Sequence, residues 1–175
     1  MRTASLKWLY PLFILSIFIF FVPVQTLLLE TVKIGGVKPD MGLVLAYLIG
    51  LGWGRNRGLF WGLLLGGFQD FFSIGSVGPH FFFKGLIGFG TGLLETFFLY
   101  FSLQAHAIVV FLISLLHDLM GEILFHGANG SLMGVSYTML GRALYNCSIV
   151  MAILLLVLKQ ARLEEFLITK IKGSR

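Results

Sequence analysis

Of the chain's 175 residues, 57% are hydrophobic, 15% aromatic and only 12% charged, about half the charged share of an ordinary soluble domain. That balance leaves no room for a sizeable soluble domain and points to an all-α integral membrane protein, with 22 glycines to bring helix backbones together and 18 phenylalanines to face lipid or core. The single cysteine, Cys147, excludes an intrachain disulfide and dithiol redox chemistry.

A bilayer-crossing helix needs about 20 apolar residues, with a lower limit near 17. Six segments approach that length: 9–29, 40–54, 58–74, 80–101, 106–126 and 136–158. The first follows Arg2 and Lys7 like a secretory leader, but its apolar stretch is too long and no A-x-A-like site follows, so it reads as a retained span. The second, "DMGLVLAYLIGLGWG", is short and is expected to thin the membrane locally, borrow from its neighbours or lie shielded in the bundle. The third and fourth carry glycines in helical steps: Gly58, Gly62 and Gly66 in one, Gly85, Gly88 and Gly92 in the other. Such stripes flatten a helix side and allow backbones to pack closely. The short turn "SIGSVGPH" between these two spans forces them antiparallel. All connections are short, so residues 1–158 read as one six-span domain. Residues 159–175 form a basic tail with Leu163, Phe166, Leu167 and Ile171 at helical spacing. It suits a helix lying on the inner membrane surface, or a solvated tail that fixes topology.

Six spans place both termini on one side. With the termini inside, the inner connections hold nine Lys and Arg against Lys33 and Lys38 outside, while Lys84 and Arg142 fall within spans. The excess of positive charge predicts cytoplasmic termini.

Counting 1.5 Å per residue from the inner face puts Asp70 and Asp118 roughly 18 Å up, Glu122 about 24 Å, and Lys84 and Arg142 roughly 21 to 24 Å. Charges in hydrocarbon cost a few kcal/mol and normally face the bundle interior. Asp70, Lys84, Asp118, Glu122 and Arg142 are therefore expected to form a polar layer joining spans three to six, with His80 and His117 near the same level. Asp70 is expected to pair with Lys84 or Arg142. Asp118 and Glu122 share a face and would repel unless a base sits between them or one keeps its proton. The layer reads either as a substrate pocket or proton relay, or as an ion-pair network that fixes helix register; near-balance of charge favours the latter. Glu95, at the inner end of span four, is interfacial.

Catalysis finds little support. His117, Asp118, Glu122 and His126 are the only candidates, their spacing is not H-E-x-x-H, and His117 and Glu122 point about 140° apart on a helix. No cofactor, metal set or nucleic-acid partner is expected.

The stretch from "KPD" (Lys38, Pro39, Asp40) through the basic turn "RNRG" to "GLLLGGFQDFFSIGSVGPH", with its Gly-x-x-x-Gly-x-x-x-Asp step, resembles the MreD family of the bacterial rod-shape system. The likeness covers residues 38–92. The phenylalanine-rich third span and the acids Asp118 and Glu122 depart from the family pattern. The resemblance implies a non-enzymatic inner-membrane subunit of the elongation machinery, bound to the bitopic protein MreC and, through it, to MreB filaments and the RodA and penicillin-binding-protein synthase. It also implies a compact six-helix fold similar to the substrate-binding subunits of energy-coupling-factor transporters. No catalytic residue comes with it, and Pro39 and Asp40 mark its motif. The competing reading is a solute-binding transporter subunit. Such subunits meet their coupling partner through an alanine-rich first helix, and span one here contains no alanine.

Overall fold

The computed structural model describes residues 33–72, 78–93, 102–126 and 136–172. Among them lie five helices: α1 (Met41–Trp53), α2 (Arg55–Phe72), α3 (Pro79–Leu93), α4 (Leu103–His126) and α5 (Tyr137–Lys172). Besides the helices, Ile34 and Val37 pair in one isolated bridge. The expected span 9–29, the inner end of span four with Glu95, and most of the "SIGSVGPH" turn lie outside the described residues, as do the side chains of His126 and the tail.

Among the described residues, two helical stretches are long and apolar enough to cross a membrane, Leu103–Ile123 in α4 and Tyr137–Gln160 in α5. Of the five expected spans that fall on described residues, only these two reach that length and apolarity, for physical reasons. Helix α1 has 13 residues and α3 has 15. Helix α2 has 18 but includes Arg55, Arg57 and Asp70. Helix α5 runs 36 residues without a break, so the expected boundary at residue 158 is not a break in the helix.

Local chemistry sets the helix ends. Asp40 caps α1, its Oδ1 accepting the Leu43 N–H at 3.0 Å. Gly54 ends α1 at φ 81°, where its N–H donates to the Gly50 carbonyl, and α2 begins at the next residue. Glycine suits that positive φ because it has no Cβ to clash.

Helices α2 and α3 run antiparallel along a glycine seam. A Cβ on Gly58, Gly62 or Gly66 would strike the backbone carbonyl of Gly88, Lys84 or His80, respectively. Each four-residue step up α2 thus meets a four-residue step down α3. From the other side, Gly88 and Gly92 meet the backbone at Gly58 and Arg55, whereas Gly85 faces the Leu63 side chain. Helix α1 packs on both α2 and α3, α4 packs on α5, and α1–α5 and α3–α4 contacts join the two sets. Val44, Tyr47 and Leu51 of α1 meet Val110 of α4 and Val150 of α5 in the core.

The side-chain distribution on α4 reverses that of a soluble amphipathic helix. His106, Val110, Ser114, His117 and Asp118 point inward, while Ile108, Leu112, Leu116, Met120 and Ile123 are exposed. Helix α3 repeats the pattern, with Lys84 and Thr91 inside and Phe82 and Leu86 outside.

Candidate functional site

Asp70 stands one step beyond Gly66 on the seam, at 1% exposure. That register delivers its carboxylate to the start of α3. Oδ2 accepts the N–H groups of Gly78 at 3.0 Å and Phe81 at 2.9 Å, and Oδ1 accepts that of His80 at 3.2 Å. Pro79, between them, has no N–H to satisfy. The first N–H groups of a helix lack intrahelical acceptors and carry partial positive charge. One carboxylate from a neighbouring helix therefore satisfies three such donors at once. The sequence predicts Lys84 or Arg142 as the partner of this acid; the two bases instead bond Asp40 and Asp118.

Lys84 is fully buried, and its ammonium donates to Asp40 Oδ1 at 2.8 Å and to Gln69 Oε1. Gly42 makes room for it: a Cβ there would lie 2.8 Å from the lysine nitrogen. The backbone N–H of Asp40 donates to Asn146 Oδ1 at 2.8 Å, and Asn146 Nδ2 donates to Ser114 Oγ at 3.2 Å. This string ties the beginning of α1 to α3, α5 and α4.

A second string crosses the same region. Arg142 Nη1 donates to Asp118 Oδ1 at 2.9 Å. The same oxygen lies 3.4 Å from Nδ1 of His117, and Nε2 of His117 lies 3.4 Å from Nδ1 of His80. Asp118 Oδ2 is buried and accepts no hydrogen bond among the described residues. The strings converge at Asp40, His80 and His117, which each present one ligand-type atom within 4.8 Å of the others. Such a grouping can hold a proton between imidazoles or a cation between nitrogen and oxygen donors.

No family model, curated protein or solved structure matches this chain.

Of the residues expected in the polar layer, Asp70, Lys84, His80, His117, Asp118 and Arg142 all occupy this region. Glu122 is partly exposed, one turn beyond Asp118 on α4. The sequence marks Asp40 only as part of a motif, whereas in the structure it is the acid that neutralises Lys84. Gln69, Ser114 and Asn146 were missed. Their signal in the sequence was hydrogen-bonding side chains in the same apolar helices as the charges, which is where buried charges need partners. A second polar contact, Tyr47 Oη to His106 Nδ1 at 2.8 Å, lies midway along α1.

Proposed function

We propose that this chain is a non-enzymatic, multi-pass scaffold of the bacterial inner membrane, of the rod-shape-determining type, with six spans and cytoplasmic termini. Its partner would be an MreC-like single-span protein, linking it indirectly to MreB and to the RodA and penicillin-binding-protein synthase. One observation carries the reading. The segment 38–92, on which the MreD resemblance rests, closes on itself: Asp40 meets Lys84, the glycine step seats α2 on α3, and Asp70 caps α3. Asp40, Gly58, Gly62, Gly66 and Asp70 each have a structural task there, as expected of a scaffold whose outer surface does the binding. Polar groups turned inward and apolar groups outward on α3 and α4 support insertion in lipid.

The test is depletion in the host, with co-purification from detergent extracts. Rods turning to spheres, and recovery of a single-span partner, are the expected results. Retained rod shape with loss of uptake of a small solute would overturn the proposal in favour of a transporter subunit, a reading that the Asp40, His80 and His117 grouping favours.

A further inference from the structure

We propose that Asp40, His80 and His117 form a binding site for a divalent transition ion of the zinc type, a property independent of any role in cell shape. Two features of the geometry converge on it.

The first is spacing. Ligand nitrogens about 2.0 to 2.1 Å from a tetrahedral zinc ion stand about 3.3 to 3.4 Å apart. Nδ1 of His80 and Nε2 of His117 are 3.4 Å apart. One oxygen of Asp40 completes a set in which all three atoms lie within 4.8 Å of one another. The hydrogen bonds that Asp40 accepts from Leu43 and Lys84 both fall on Oδ1, leaving Oδ2 for an ion. Two imidazoles and a carboxylate suit zinc, cobalt or nickel rather than calcium or magnesium, which take oxygen. Three protein ligands leave a fourth position for water or a small anion.

The second is the outer shell. A metal-bound histidine usually donates its other ring N–H to a carboxylate, which fixes the tautomer and turns the free lone pair to the ion. Nδ1 of His117 faces Asp118 Oδ1, and Arg142 holds that carboxylate from its far side. The ligand segments are fixed as well: Asp70 accepts the His80 backbone N–H, and Asn146 accepts that of Asp40.

His80 is only partly buried and sits where α3 begins, which makes it the most accessible of the three ligands.

Full-length protein in detergent, carrying no polyhistidine tag, would be titrated with Co²⁺ and followed by visible absorption, then with Zn²⁺ in competition. One tightly held Co²⁺ per chain with a tetrahedral-type spectrum, displaced by Zn²⁺, is expected. His80→Gln and His117→Gln should each weaken binding at least about tenfold, and Asp118→Asn about tenfold through the histidine it orients. Metal-free melting curves identify any variant that fails to fold. The partly buried His80 carries the decision if His117→Gln proves unstable. Absence of saturable uptake at one ion per chain, or His80→Gln binding like the parent, would overturn the site. Neither outcome bears on the rod-shape assay.

Discussion

Replacing Asp70 tests whether this acid acts as a cap for a neighbouring helix or as the counter-ion of a lysine. Its carboxylate accepts three N–H groups at the start of α3, at 2.9, 3.0 and 3.2 Å. Hydrogen bonds to a charged group contribute about 1.5 to 3 kcal/mol each, so a ceiling for Asp70→Ala is about 5 to 9 kcal/mol. Gly78, Pro79 and His80 are partly exposed, and water reaching the freed donors brings the expected loss to about 3 kcal/mol. Asp70→Asn keeps one acceptor oxygen but turns an amide NH₂ toward the remaining donor, for roughly half that loss. The global loss would be read from unfolding in mixed micelles. Hydrogen exchange at Gly78, His80 and Phe81 supplies the local readout, with acceleration of about tenfold for each 1.4 kcal/mol. Asp70→Asn melting and exchanging like the parent would refute the cap. So would full rescue of Asp70→Ala by Lys84→Met, because that rescue requires a counter-ion pair.

Three further predictions use the same unfolding assay. Gly62→Ala should cost about 1 to 3 kcal/mol because its methyl meets the Lys84 carbonyl, whereas Gly90→Ala, with open space around it, should cost nothing. Lys84→Met should cost about 3 to 5 kcal/mol by stranding the Asp40 carboxylate, and adding Asp40→Asn should restore much of it; additive losses would refute the pairing. Tyr47→Phe removes the bond to His106 and should cost about 1 kcal/mol, measured with the same titration.

What the sequence revealed of this arrangement follows from what periodicity can encode. The step Gly58, Gly62, Gly66, Asp70 is visible because one helix face recurs about every four residues, and that alone places Asp70 inside. A common depth for Asp118 and Arg142 follows from counting rise, and the two are bonded. Which acid meets Lys84 does not follow, because it depends on how α1 is rotated against α3 and on the space left at Gly42. The partners of Asp70 were hidden for a different reason. They are backbone N–H groups, which every residue but proline carries, so no residue type announces them. The convergence of Asp40, His80 and His117 was equally illegible, since each ligand comes from a different segment and no spacing within one segment links them.

Helix α5 has a mechanical consequence. Its 36 residues rise about 54 Å, against a hydrocarbon thickness of about 30 Å. Laid across a bilayer, it would project well beyond the lipid as a stiff mast. Its upper part is moored to α1 through Asn146. From Asn146 to Lys172 the helix rises about 39 Å, so a tilt of about 10° around that mooring would sweep the far end through roughly 7 Å. Small rearrangements among the buried side chains would thus be magnified into displacements large enough for a neighbouring molecule on the opposite face to sense.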